Sequence, residues 1–129
     1  MIVVDASVVV EVLLRRPAAA AIESRWKADR NLQSVQLLDL EVLSALRRLV
    51  RAGEIDDARA STAAGDFSTL RVKRWSHVPL RHRIWELRHN ITAYDAAYIA
   101  LAERFACPLI TCDGRLARAS GHGARVEVM

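Results

Sequence analysis

Short runs of branched aliphatic residues recur along the chain: Ile2-Val3-Val4, Leu109-Ile110-Thr111 and Val126 to Val128. Runs of this kind belong to strands buried on both faces of a parallel sheet. Leu32 to Val35 predicts a further short strand and Val72 to Val78 a weaker one, for a sheet of four to five strands. Between these runs the apolar spacing is helical. Leu38, Val42, Ala45, Leu46 and Leu49 fall on one stripe of a helix from about residue 37 to 52, with Gly53 a suitable residue just past its end. Val8 to Leu14 predicts a helix capped by Asp5-Ala6-Ser7, and Pro17 suits the start of a second that runs to Ala28. Asp56 to Leu70, Pro79 to His89 and Tyr94 to Phe105 complete the helical segments, with a short one from Asp113 to about Gly121.

Strands alternating with helices predict an α/β domain: a mostly parallel sheet, helices on both faces and right-handed crossovers. No linker, repeat or low-complexity stretch divides the 129 residues, so one domain over 1–129 is expected. In such folds sites form at the carboxyl ends of the strands, near the point where strand order reverses. Asp5 and Asp113 each follow a strand directly and land on that edge.

Composition narrows the classes. Hydrophobic residues make up 52% and charged residues 26%, which suits a water-soluble folded domain and not a disordered chain. The first residues carry no basic leader, and no stretch long enough to span a bilayer lacks charge. A chain that stays in the cytoplasm, away from membranes, is expected. Cys107 and Cys112 then read as reduced thiols beside a strand, too few and too poorly spaced for a zinc site. Net charge is +4 despite 15 acids. The excess is clumped at Arg15-Arg16, Arg47-Arg48 with Arg51, Arg71 with Lys73-Arg74, and Arg81-His82-Arg83. Such clusters raise the local concentration of a polyanion. The four histidines, His77, His82, His89 and His122, lack ligand-like spacing and read as surface or phosphate-contacting residues.

The candidate chemistry lies in carboxylates. Asp5 and Asp113 double as helix caps, and Asp95, three residues after Thr92, sits in a loose capping box. Asp95 is the only charge between Tyr94 and Ala102, in a helix apolar on nearly all sides. The helix dipole offers a first-turn carboxylate about 0.3–1 kcal/mol, whereas unpartnered burial costs several. Asp95 therefore needs a cation or a mouth open to water. Glu41 lies at the border of its helix's apolar stripe, and Asp39, two residues earlier, is a rival and the better helix cap. Three or four such acids packed together make a suitable seat for Mg²⁺ or Mn²⁺, which prefer hard oxygen ligands. An ion held there can activate water and offset charge on a phosphoryl oxygen, and two ions about 3.5–4 Å apart can hold attacking and leaving oxygens in line.

Four segments resemble a known family. Ile-Val-Val-Asp-Ala-Ser-Val-Val-Val at 2–10 resembles the opening of PIN-domain nucleases, particularly VapC-type toxins of prokaryotic toxin–antitoxin pairs. Leu-Leu-Asp-Leu-Glu-Val-Leu-Ser-Ala-Leu-Arg-Arg at 37–48 is similar to their second motif. Thr-Ala-Tyr-Asp-Ala-Ala-Tyr-Ile-Ala-Leu-Ala-Glu at 92–103 is similar to the third, and Leu-Ile-Thr-Cys-Asp-Gly-Arg-Leu-Ala-Arg-Ala at 109–119 to the fourth. The resemblance implies a PIN-like three-layer α/β/α fold and carries catalytic, metal-binding roles onto Asp5, Glu41, Asp95 and Asp113, favouring Glu41 over Asp39. It gives Ser7 and Thr111 supporting hydroxyl contacts. Position 44 is Ser where many relatives carry Asn, and residues 53–91 match least well. The implied activity is Mg²⁺- or Mn²⁺-dependent hydrolysis of phosphodiester bonds in structured RNA, tRNA or rRNA. Implied partners are the RNA, a second copy of the chain and a small VapB-type antitoxin that covers the site.

Two other readings are weighed against this one. A silent PIN module would bind RNA or protein without cutting, although it would have little reason to keep all four acids. Phosphoryl chemistry on an aspartate would want Asp-x-Asp, where this chain has Asp5-Ala6-Ser7, or a lysine after a late strand, where Val126-Glu127-Val128-Met129 supplies none.

Overall fold

A computed structural model describes all residues, 1–129. The elements run β1 (Ile2–Val4), α1 (Ala6–Leu13), α2 (Ala19–Ala28), β2 (Leu32–Val35), α3 (Leu37–Arg51), α4 (Asp57–Thr69), β3 (Lys73–Trp75), α5 (Arg81–Glu86), α6 (Ala93–Phe105), β4 (Leu109–Thr111), α7 (Gly114–Arg118) and β5 (Val126–Val128). Single 3₁₀ turns, Val78–Leu80 and Leu87–His89, flank α5. The expected strand over 72–78 shortens to Lys73–Trp75, because Pro79 follows and the chain coils into the first of these turns. No helix is long and apolar enough to cross a membrane.

All five strands are parallel, in the order β3-β2-β1-β4-β5. The chain winds outward from β1 to β3, crosses back, and continues from β4 to β5. Strand order therefore reverses between β1 and β4. Right-handed crossovers require helices on opposite faces for the two directions of winding. Side-chain burial follows this rule. Ile2, Val4 and Ile110 point to one layer with residues of α1, α2, α3 and α4, while Val3 and Leu109 point to the other with α6 and Leu116 of α7. The period-2 alternation of three-residue strands thus feeds two separate cores. The result is the three-layer α/β/α domain expected from the pattern.

Loop geometry imposes one strict demand. Gly121 adopts φ +89, and a Cβ there would lie 2.5 Å from the Asn90 amide nitrogen. Asn90 is exposed and can yield, but the left-handed backbone cannot be relieved, at about 1–2 kcal/mol for a side chain. Gly121→Ala should lower the melting temperature by roughly 3–8 °C in thermal unfolding. An unchanged melting temperature would mean that this loop is not held as described.

Candidate active site

The switch between β1 and β4 is where the carboxylates gather. Asp5 leaves β1 and caps α1, its Oδ1 accepting from the backbone N–H of Ser7 at 3.0 Å and Val8 at 3.2 Å. Ser7 Oγ donates to the same oxygen at 2.6 Å, and Thr111 Oγ1 donates to Oδ2 at 2.5 Å. Each hydroxyl then accepts a backbone N–H from the end of β4: Cys112 N–H to Ser7 Oγ at 2.8 Å, and Asp113 N–H to Thr111 Oγ1 at 2.9 Å. A hydroxyl has one proton and spare lone pairs, so both must donate to the acceptor-only carboxylate and receive from the backbone. The network ties the carboxyl ends of the two central strands together through Asp5. Asp5 is only 7% exposed, and burial outweighs all four donated bonds, pushing its carboxyl above the usual 3.8.

Glu41 projects from the second turn of α3 and is half-buried. Its Oε2 accepts from the Tyr98 hydroxyl at 2.5 Å. Burial does most to push the Glu41 carboxyl above its usual range; the tyrosine bond opposes this, and the charges of Asp95 and Asp5 add to it. Their mutual influence places three carboxylates within electrostatic reach. Asp95 lies in the first turn of α6, where its backbone N–H is capped by Thr92 Oγ1 at 3.2 Å. Residues 96–102 behind it are all buried, whereas Asp95 is partly exposed, at a mouth open to water.

Asp113 follows β4 and caps α7. It differs electrically from the other three. Arg115 grips it through Nε and Nη2 at 2.6–3.1 Å, and that bond holds its carboxyl below the usual range. Asp5, Glu41 and Asp95 form no ion pair with lysine or arginine.

All four acids line one cavity of about 650 Å³, with Ser7, Ser44 and Tyr98. As the side chains stand, no three carboxylates close on a common point. The donor set still fits a hard divalent cation: oxygen ligands only, three of them uncompensated, one buried where its charge is costly. Closure requires rotation of partly exposed side chains, chiefly Asp113 away from Arg115. That arginine is 82% exposed, and an ion pair so open to solvent restrains little.

Several sequence expectations need correction. Asp39 caps nothing: Gln36 precedes α3 without a side-chain bond, and Asp39 instead pairs with Arg74 at 2.9 and 3.2 Å, outside the cavity. The pair also withdraws Arg74 from its basic cluster, as Glu103 and Glu86 withdraw Arg83. His122 is half-buried rather than free at the surface. Its Nε2 lies 3.2 Å from the Leu116 carbonyl and its Nδ1 is buried without a partner, because the loop after α7 folds back onto that helix. Cys107 and Cys112 are free thiols, and burial pushes both up, away from nucleophilic thiolate.

Two features went unread in the sequence. Tyr98 passed as packing in an apolar helix, although a fully buried tyrosine needs a partner for its hydroxyl, and a residue three after Asp95 lies on the same helix face. The second is a neighbouring cavity of about 530 Å³ walled by Arg88, Arg115 and Arg118, which meets the first at Asp95 and Leu116. Arg115 and Arg118 share α7, but Arg88 comes from the distant segment after α5, so the three do not read as one cluster in sequence.

The fold and this acid-lined switch point define the class, and comparison with known proteins agrees. The PIN domain model matches residues 2–121. Ribonuclease VapC12 of Mycobacterium tuberculosis is 41% identical over 129 residues, 100% of this chain and 99% of that protein. Ribonuclease VapC1 of the same organism is 39% identical over 128 residues, 98% and 96% of the two chains. Among solved structures, PAE2754 from Pyrobaculum aerophilum superposes with TM-score 0.70 at 28% identity, covering 97% of this chain and 82% of that one. Mycobacterium tuberculosis VapC20, described as a sarcin-ricin loop cleaving toxin, shares the fold at TM-score 0.67 and 19% identity, covering 92% and 94%. The chain belongs to the PIN-domain family and, within it, to the VapC proteins.

Proposed function

We propose that this protein is a divalent-metal-dependent endoribonuclease that cuts structured RNA, with Asp5, Glu41, Asp95 and Asp113 as the metal-holding acids. The observation that carries the reading is the convergence of four carboxylates, distant in sequence, on one cavity at the strand-order switch, three of them outside any ion pair. The ribonuclease names of relatives at 39–41% identity support it. A small antitoxin of the VapB type over the cavity, and a homodimer, complete the proposal as a growth-inhibiting toxin acting in the cytoplasm.

In the reaction, water attacks phosphorus, the P–O bond to one flanking ribose breaks, and the departing oxygen takes up a proton. Bound Mg²⁺ or Mn²⁺ would supply Lewis acidity, making water a better nucleophile near neutral pH and drawing charge from the phosphoryl group. The chain's own residues set the geometry. Ser7 and Thr111 hold Asp5 in a single orientation, and Tyr98 holds Glu41. Asp95 and Asp113 stand at the open side, where a strand of RNA can reach them.

The test is cleavage of tRNA and rRNA with Mg²⁺, with Mn²⁺ and with chelator. Discrete cuts with either ion and none with chelator are expected. Cutting that persists in chelator would overturn the metal-dependent reading. RNA binding without cutting under every metal would favour the silent module.

A further inference from the structure

The second cavity has the opposite character to the first. Its charged lining is one carboxylate, Asp95 at the shared edge, against three guanidinium groups, Arg88, Arg115 and Arg118. All three arginines are exposed. Arg118 engages no carboxylate, and Arg88 none either: its Nη1 donates to the Trp85 carbonyl at 2.9 Å and its guanidinium lies 4.5 Å from the centre of the Trp85 ring. Arg115 is shared with Asp113. Elsewhere Arg74 and Arg83 are already paired with Asp39 and Glu103. Apart from Arg48, which lines the acid cavity itself without an ion pair, the unpaired arginines beside the acids lie in this second cavity.

We propose that the Arg88–Arg115–Arg118 cavity binds a backbone phosphate of the RNA strand next to the phosphate being cut, and that Trp85 beside it offers a face for an unstacked base. The assignment rests on the nuclease reading of the acid cavity and extends it by naming where the substrate's neighbouring charge goes. Four carboxylates repel a polyanion, so strand approach needs fixed positive charge close by, and the two cavities meet at Asp95. A guanidinium matches phosphate geometry with paired donors. Trp85 is 66% exposed with a cation already stacked on it, an arrangement that suits base stacking in single-stranded nucleic acid. An acidic protein segment would use the guanidinium groups but would leave the exposed indole without a role, which favours RNA.

The experiment measures binding without cleavage. In an Asp5→Asn background with chelator present, a fluorescein-labelled 12-nucleotide single-stranded RNA is titrated by anisotropy across a series of salt concentrations. Arg88→Gln with Arg118→Gln should weaken binding about tenfold at low salt and reduce the slope of log Kd against log[salt] by about 0.7 for each phosphate no longer neutralised. Trp85→Ala should weaken binding several-fold with the slope unchanged. Thermal unfolding should be unaffected, since these side chains are exposed. Unchanged RNA affinity and slope in the double variant would overturn the proposal. So would loss of binding to a glutamate-rich peptide with RNA binding intact, which would make the cavity a protein-docking site. Because cleavage is not the readout, failure of the nuclease reading would appear separately, as RNA binding that depends on these arginines in a protein that cuts under no metal.

Discussion

Asp5→Asn should abolish RNA cleavage while making the metal-free protein more stable. A ligand that helps neutralise developing phosphoryl charge is worth several kcal/mol in the transition state, and at about 1.36 kcal/mol per tenfold this amounts to a loss of about a thousandfold. Stability moves the other way. Burial raises the Asp5 carboxyl above 3.8 in spite of four donated hydrogen bonds, so the folded state bears the ionised form at a cost. Asparagine keeps an acceptor for Ser7 and Val8 and removes the charge; the Thr111 hydroxyl can rotate to accept from the new amide.

The pH dependence has a definite sign. A group whose folded-state pKa is raised contributes favourably below its unfolded value and loses that contribution as pH rises through the folded one. Wild type and variant should therefore melt together near pH 3.5 and separate as pH rises towards 7, the variant higher. A gain of about 1 kcal/mol corresponds to roughly 4 °C for a chain of this size. Mg²⁺ or Mn²⁺ should then raise the wild-type melting temperature, by about 2.7 kcal/mol in free energy at a hundredfold excess over Kd, and leave the variant unmoved. Calorimetry with and without chelator, beside gel analysis of RNA, measures both halves. Equal cleavage by the two proteins, or a variant less stable than wild type at pH 7, would refute the role given to Asp5.

The second large effect is expected from Tyr98→Phe. The ring is 1% exposed and phenylalanine fills the same space, so packing is preserved and only the bond to Glu41 is lost. Residues that orient metal-holding side chains typically account for about 10–100-fold in metal affinity or activity, and a loss of that size is expected here. The tyrosine bond is the larger of two lowering influences on Glu41, the other being the charge of Arg48, and both oppose burial and the charges of Asp95 and Asp5. Without it the Glu41 carboxyl rises further. The acid side of the pH–rate profile should shift to higher pH, and the metal concentration giving half-maximal cleavage should increase. A purely structural role for Tyr98 would lower the melting temperature and move neither quantity.

Much of this was legible in the residues, for identifiable reasons. A buried parallel strand must be apolar on both faces, so Ile2-Val3-Val4 and Leu109-Ile110-Thr111 could be little else, and the acids that follow them had to fall on the carboxyl edge. Asp95 stood out because it is the only charge in a helix with no wet face. Asp39 and Glu41 could not be separated by spacing, since both positions suit a helix of that pattern. The family motif favoured Glu41, and the fold shows why Asp39 is occupied elsewhere: Arg74 on β3 is brought beside it.

The sequence by itself determined the alternation of strands and helices and the α/β class, because hydrophobic period and capping chemistry are local properties of the chain, and its family motifs singled out the four candidate acids. Only the tertiary structure decided which arginines are paired and which are free, that Tyr98 serves Glu41, and that Ser7 and Thr111 clasp one carboxylate between two strands. Those are matters of partnership across 57 and 104 to 106 residues of chain. A hydrogen bond or an ion pair depends on distance in space, and distance between remote residues does not exist until the sheet has set the order of its strands.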